Sequence, residues 1–285
     1  MAARAENVDT LLERIPDPAI RGLFTREFVL CNEHFDRFTN ESVLRLFHEL
    51  GFEDRLARGT SAPELVLARS FAPRAEIPLR WCLRKLAAAG YLDAEGTSND
   101  AVYRSRGPLP AGDPDRAEAA ARALDPSSLP AFAVVRAMVE HVPAFLAGEK
   151  TGEEILFSPA RLPLWFDYFS NDNLLYQINN RLGAEAVVRA LPATTPAVVL
   201  EIGGGSGSAA LALGERLARD ARLARVGKYV FTEIVPTFLR RAERALRARF
   251  PELPAEFARL DMDRDFAEQG IAPESADVVY AVNTV

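Results

Sequence analysis

Between Ala197 and Ala210 the chain reads AVVLEIGGGSGSAA. An apolar run, Ala197 to Leu200, leads into the carboxylate of Glu201, then Gly203, Gly204, Gly205 and Gly207, then helix-forming residues from Ala209. This order predicts a buried strand, a glycine turn and a helix N-terminus, the opening of a doubly wound α/β sheet. Glycines let backbone approach a ligand with no Cβ in the way. A plain tight turn between strand and helix would not need four of them in five positions behind a carboxylate. The spacing also narrows the ligand. A dinucleotide fingerprint G-x-G-x-x-G starting at Gly203 needs its third glycine at position 208, where Ser208 stands. More polar side chains fall at the ends of the next predicted strands: Glu233, Asp261 and Asn283. Strand C-termini face the crevice where open α/β sheets bind ligands. Any one of these residues alone reads as a helix cap or a solvated loop residue; four in register with a glycine turn read as a site.

Taken as E-x-G-x-G-x-G, the residues Glu201, Gly203, Gly205 and Gly207 resemble motif I of class I S-adenosylmethionine-dependent methyltransferases. That resemblance implies S-adenosylmethionine as cofactor, with Glu201 helping to hold its methionine end and the glycine turn packing beneath it. Glu233 would then accept both ribose hydroxyl protons, which a carboxylate does better than an amide because charged acceptors make stronger hydrogen bonds. Asp261 would accept the adenine amino group, with Met262 against the ring, and Asn283 would stand near the transfer point. An aromatic stretch, LPLWFDYFSNDNLLYQINNRLG, precedes the sheet. Most of it reads as core. Tyr168, Phe169 and Asn173 are lid candidates, since a sulfonium cation is drawn to aromatic faces and a methyl donor must be kept from water.

The order YVFTEIVPTFLRRAERAL, EFARLDMDRDFAEQG, ADVVYAVNTV is similar to the methyltransferase domains of polyketide synthases. Those domains run Y-x-F-T-D-I, then F-x-x-x-A, then L-D-x-x-x-D with Q-G, then D-V-V-x-A-x-N. Glu233 departs from the usual Asp by one methylene. The resemblance implies methylation of an α-carbon on a β-ketoacyl group held by an acyl carrier protein. It also places a catalytic histidine just after the asparagine matching Asn283, beyond Val285. Four strand candidates stand where a complete methyltransferase sheet has seven. The sequence is therefore expected to be a C-terminally truncated piece, inactive alone, and no catalytic residue is named.

These residues need elements to hold them. Strands are predicted over Ala197–Ile202, Tyr229–Glu233, Glu256–Leu260 and Asp277–Val282, and helices over Ser208–Arg219 and Pro236–Phe250. The alternation implies a Rossmann-like parallel sheet over residues 193–285. Residues 113–192 read as a helical lid or connector, with an apolar stripe from Pro126 to Ala147. Residues 1–112 read as three helices and a hairpin. Asn40 is the expected cap of the first, Ser61 of the second, and the third carries Ile77, Trp81, Leu83, Leu86 and Ala87 inward. The hairpin tip is AEGTSND. This part resembles a winged helix and the N-terminal dimerisation domain of small-molecule O-methyltransferases, which pulls toward a free-standing enzyme and implies a homodimer through this region.

Composition bounds the alternatives. With 48% hydrophobic and 26% charged residues over 285 positions, the chain is expected to be globular, with one or two domains. No apolar run reaches the ~18 residues of a membrane span, and MAARAENVDTLLERIP lacks the apolar core of a signal peptide. Two cysteines without ligand spacing, and three histidines without an H-E-x-x-H pattern, give no metal site. A cytoplasmic location without membrane contact is expected. A net charge of −6 argues against nucleic acid as a partner. Arg74, Arg80, Arg84, Lys85, Arg104 and Arg106 read as a solvated face. The expected function is methyl transfer to carbon or oxygen of a small natural product, free or carrier-bound. The alternatives are a winged-helix regulator that senses the cofactor without catalysis, and a Rossmann oxidoreductase, which the absent third glycine disfavours.

Overall fold

The structure, a computed structural model, describes residues 12–97 and 100–284. Positions 98 and 99 of the expected hairpin tip, and residues 1–11 of the N-terminal stretch read above, lie outside the described residues. The chain divides into two compact units, residues 27–165 and residues 166–284 with the described residues before Glu27.

The 27–165 unit starts with a single long helix, α1 (Arg26–Glu49). Asn40, the expected cap, sits inside it. The apolar period extends upstream of Asn40, burying Cys31 and Phe38 as well as Val43, Leu44, Leu46 and Phe47. A continuous buried stripe holds a helix together past one weak helix former. Phe35 and Phe38 meet Phe132 edge-on, with ring centroids 5.2 and 5.1 Å apart. A short helix, α2 (Glu53–Arg58), buries Leu56. Helix α3 (Ala62–Arg69) begins after Ser61, whose amide donates to Glu64 at 2.8 Å. Helix α4 (Glu76–Ala88) buries Leu79, Cys82, Leu83 and Leu86, an i, i+3, i+4, i+7 set. Ile77 and Trp81 were expected on that face and are instead 74% and 48% exposed. They lie one turn apart on the opposite side, because the packed stripe is centred on the leucines. Strands β1 (Leu92–Glu95) and β2 (Val102–Ser105) form the antiparallel hairpin. Tyr103 is buried against the core that holds Leu44, Phe47, Phe52, Leu65 and Leu83. Helices α5 (Pro114–Leu124) and α6 (Leu129–Val139) follow. The expected stripe from Pro126 to Ala147 breaks at Glu140, and a separate short helix covers Val142–Ala147.

Helix α7 (Leu162–Tyr168) carries the chain into the second unit. There α8 (Leu174–Ala190) precedes a sheet of four parallel strands. These are β3 (Ala197–Glu201), β4 (Val226–Thr232), β5 (Ala255–Ala258) and β6 (Val278–Tyr280), in the order β5-β4-β3-β6. Helix α9 (Ser208–Arg219) links β3 to β4, and α10 (Pro236–Arg249) links β4 to β5. Pro236 occupies the first turn of α10, where its missing N–H costs nothing. The core contains Val199, Tyr229, Phe231, Leu213, Leu217 and Leu246. After β5 the chain crosses to the far side of β3 to lay down β6. Among the described strands, that reversal makes the C-terminal end of β3 a topological switch point, where such sheets open a crevice. None of the described helices is long and apolar enough to cross a membrane.

Candidate functional site

The turn after β3 is held in shape by three glycines with positive φ: Gly203 at 61°, Gly205 at 57° and Gly207 at 89°. They differ in what surrounds them. A Cβ on Gly207 would stand 2.8 Å from Ala242 Cβ, so this position lets α9 and α10 approach. A Cβ on Gly204 would stand 2.3 Å from the Phe231 ring. A Cβ on Gly205 would meet nothing within 4 Å. Gly205 faces a cavity lined also by Phe169, Tyr176, Asn180, Glu201, Gly203, Ser206, Glu233, Phe238 and Asn283.

Glu233 follows β4 and ties the turn to that strand. Its Oε2 accepts from the Gly205 amide at 2.9 Å, and its Oε1 from the Val235 amide at 2.7 Å. Glu201 ends β3, opposite Phe231 of β4 and Tyr280 of β6. Its side chain is 1% exposed as a residue. Tyr229 donates its hydroxyl to Glu201 Oε2, and the Tyr229 and Tyr280 hydroxyls are hydrogen-bonded to each other. Oε1 of Glu201 is buried and has no partner among the described residues. Burial pushes this carboxyl up to about 7, against hydrogen bonds from Tyr229 and Tyr280 that favour the charged form, with the nearby charge of Glu233 adding to the rise.

The segment before the sheet forms the other wall. Asn180 donates to Asn171 Oδ1 at 2.7 Å, and Asn171 donates to the Ser208 carbonyl at 2.8 Å. These bonds fix the start of α8 against the first turn of α9. Tyr168, Phe169 and Tyr176 form an aromatic trio with centroids 5.1–5.2 Å apart. Burial pushes the Tyr176 phenol up to about 12, against a hydrogen bond with Asn283.

The structure thus brings together Glu201, Gly203, Gly205, Glu233, Asn283 and Phe169 around one cavity. It places other sequence candidates elsewhere. Gly207 packs between helices. Tyr168 packs against the rings of Phe169 and Tyr176 and lies outside the lining. Asn173 is fully buried, donates to the Tyr168 carbonyl at 2.7 Å and accepts from the Leu175 amide at 3.2 Å, so both ends of its amide serve the cap of α8. Asp261 lies outside the cavity lining, its Oδ1 accepting from the Asp263 amide at 3.1 Å in a turn braced by Gln269. Met262 beside it is 42% exposed. Sequence reasoning missed Tyr176, Asn180 and Phe238 in the lining, and the Tyr229 and Tyr280 pair under Glu201. Tyr229 and Phe231, two residues apart on β4, share a face; nothing in the sequence said that this face also carries the Glu201 carboxylate.

No family model matches the chain. Over 160 residues, 56% of its length, the chain is 32% identical to the highly reducing polyketide synthase frbB of Dothideomycetidae sp. (strain 11243) and covers 6% of that protein. Over 217 residues, 71% of its length, it is 29% identical to the pyochelin synthetase PchF of Pseudomonas aeruginosa (strain UCBPP-PA14) and covers 11% of it. The chain therefore spans about a tenth or less of these curated relatives. Among solved structures, the crystal structure of DszA carbon methyltransferase matches 96% of this chain and 69% of its own, with a TM-score of 0.69 and 24% identity. The trans-methyltransferase CalH, solved in complex with SAH, matches 89% of this chain and 63% of its own, with a TM-score of 0.53 and 21% identity. The fold is that of a methyltransferase: a Rossmann-like parallel sheet preceded by a mainly helical region, as the sequence predicted. The resemblance to polyketide-synthase C-methyltransferase domains holds in both sequence and fold.

Proposed function

We propose that this chain binds S-adenosylmethionine in the cavity above Gly205 and directs methyl transfer to a carbon of a polyketide-type intermediate carried on an acyl carrier protein. One observation carries the cofactor reading. A fully buried carboxylate, Glu201, keeps an oxygen without a partner among the described residues, beneath a glycine turn whose middle residue faces open space. A buried acceptor left unpaired costs about 1–3 kcal/mol, and a ligand that donates to it offsets that cost. The set of acceptors fits the cofactor. Glu201 would take the amino-acid end, Glu233 the ribose hydroxyls and the turn the approach of the sulfonium region. Asp261 and Met262 would serve the adenine only where the ligand extends past Glu233. When bound, the cofactor supplies an electrophilic methyl group on a sulfonium.

This chain's own residues contribute position and shelter. Phe169 and Phe238 form apolar walls that keep water from the reacting centre. Tyr176 and Asn283, in contact with each other, present polar groups across the cavity that could orient an acceptor. The choice of carbon and of a carrier-bound acceptor is supported by the names of the relatives: polyketide and pyochelin synthetases among proteins, a carbon methyltransferase among structures. Calorimetric titration with S-adenosylmethionine tests the cofactor, and transfer of labelled methyl to β-ketoacyl thioesters, set beside phenolic acceptors, tests the acceptor. Saturable binding that Glu201→Gln weakens is expected. Absence of binding at millimolar cofactor would overturn the reading, and transfer only to phenols would overturn the choice of carbon.

A further inference from the structure

Three side chains from three adjacent strands meet under the glycine turn: Tyr229 of β4, Glu201 of β3 and Tyr280 of β6. Residues in register on neighbouring parallel strands share a face, and Glu201 pairs with both Phe231 and Tyr280. Tyr229 lies two residues before Phe231 and so projects to that same face. Glu201 and Tyr229 are fully buried and Tyr280 partly so, and the two phenols and the carboxylate form one hydrogen-bonded row. Only one oxygen of the carboxylate is used by the row; the other, Oε1, is without a partner among the described residues.

We propose that Tyr229 and Tyr280 are positioning residues that clamp Oε2 of Glu201 and so aim Oε1 into the cavity as the acceptor for the ammonium group at the amino-acid end of the cofactor. The proposal rests on the cofactor reading above. Its physical basis is the charge of the surroundings. The groups that act on Glu201 are Tyr229, Tyr280 and Glu233, and Glu201 in turn acts on Tyr176 across the cavity. Every one of them is an acid, so nothing from β3, β4, β6 or α8 neutralises the carboxylate. In a water-poor site a cation is the ligand that such an acceptor favours most. The clamp matters because a carboxylate without it could turn Oε1 toward the strand, or take up a proton and become a donor.

A proton consequence follows. Burial holds the free carboxyl near neutrality, at about 7. An ammonium group binds the ionised form, so binding near neutral pH releases a proton from Glu201 to solvent. Affinity then rises with pH and levels off once the carboxyl is ionised. Removing a phenol donor disfavours the ionised form and moves that rise to higher pH.

The test is calorimetric titration of the whole chain with S-adenosylhomocysteine from about pH 6 to about pH 9, on both sides of the carboxyl's titration, in two buffers of different ionisation heat. The same titration is run with the analogue whose α-amino group is replaced by hydrogen. Proton release is expected with the amine and not with the analogue. Tyr229→Phe should bind several-fold more weakly near neutral pH and recover at high pH, with Tyr280→Phe moving the same way by less. A merely structural loss would weaken binding at every pH. Should Tyr229→Phe fail to fold, Tyr280→Phe, whose hydroxyl joins the row through Tyr229, carries the test of the clamp, and the amine-against-analogue comparison on the natural chain tests the ammonium contact. Equal proton release for both ligands, or pH profiles of the two phenylalanine variants that superimpose on the natural one, would overturn the clamp while leaving the cofactor reading standing. Binding of neither ligand would overturn both.

Discussion

Gly205 and Gly207 both have positive φ, yet a methyl group added to each meets different surroundings. At Gly207 it would press on Ala242 of α10, which is buried. Gly207→Ala should therefore lower stability by about 2–4 kcal/mol, combining overpacking with a left-handed backbone that costs an alanine roughly 1–2 kcal/mol. At Gly205 only the backbone cost applies, and the new methyl enters the cavity. Gly205→Ala should remain folded by circular dichroism and lose affinity for S-adenosylmethionine; unchanged affinity would move the site away from the turn. Glu233→Ala removes the acceptor of two backbone amides and of the proposed ribose contact. A hydrogen bond to a charged group contributes about 1.5–3 kcal/mol, so affinity should fall about ten- to hundredfold. Equal affinity of the natural chain for the cofactor and its 2′-deoxyribose analogue would refute the ribose role. Glu201 makes a prediction about stability as well. Its folded-state carboxyl is raised from 4.5 to about 7 by burial. Between those values the native state holds a proton on Glu201 that the unfolded chain has released, so this group's contribution to stability is greatest below about pH 4.5, falls as pH rises toward 7, and is level above. The fall is of order 3 kcal/mol at most. Urea titrations across this range should show that fall in the difference between the free natural protein and Glu201→Gln, which cancels the opposite slopes of carboxylates held low by partners, such as Asp115 and Asp220.

Among the elements, α8 shows how a residue can carry a site without touching it. Asn173 caps the helix and also bonds the Tyr168 carbonyl, which locks the chain direction between α7 and α8. That lock sets where Phe169 and Tyr176 stand. Asn173→Ala should cost about 1–2 kcal/mol, as loss of a good N-cap does, and should weaken cofactor binding less than Glu233→Ala does. Thermal melts and titration on the same sample check both halves. Asn173→Asp keeps the acceptor for Leu175 and loses the donor to Tyr168, so an intermediate stability is expected. In the other unit, α4 shows that composition alone does not choose a face. Ile77 and Trp81 are as apolar as Leu79 and Leu83, but only the leucines fall on the stripe that continues to Cys82 and Leu86.

At the scale of the molecule, the proposed site lies wholly within residues 166–284, and the unit of residues 27–165 has its own core. A ligand that binds only the folded α/β unit stabilises that unit by RT ln(1 + [L]/Kd), about 2.7 kcal/mol at a hundredfold excess over Kd. Calorimetric melting with S-adenosylhomocysteine should therefore raise the transition of the α/β unit. Protection from hydrogen exchange should rise in β3, β4 and the glycine turn, with little change in α3 and α4. Protection rising only in the helical unit would place the ligand elsewhere.

Local pattern carried much of this. The apolar run before Glu201, the glycines behind it and the first-turn proline of α10 specify strand, turn and helix from neighbouring residues alone. Helix α9 accordingly covers Ser208–Arg219, as its sequence predicted. The strand-end positions of Glu201 and Glu233 followed from the same local pattern, whereas β6 ends at Tyr280 and leaves Asn283, expected at its end, three residues into the loop. What the sequence could not decide depends on contacts between distant segments. Whether Asn40 begins a helix or sits inside one depends on the core that receives Cys31 and Phe38. The use of Asn173 as a cap was set by the path from α7 to α8. The tyrosine pair under Glu201 exists only because β4 and β6 flank β3, a pairing of residues 28 and 51 positions apart between Glu201, Tyr229 and Tyr280. Sequence spacing names the groups that can do chemistry. Sheet order and register decide which of them share a face, and burial then decides how each holds its proton.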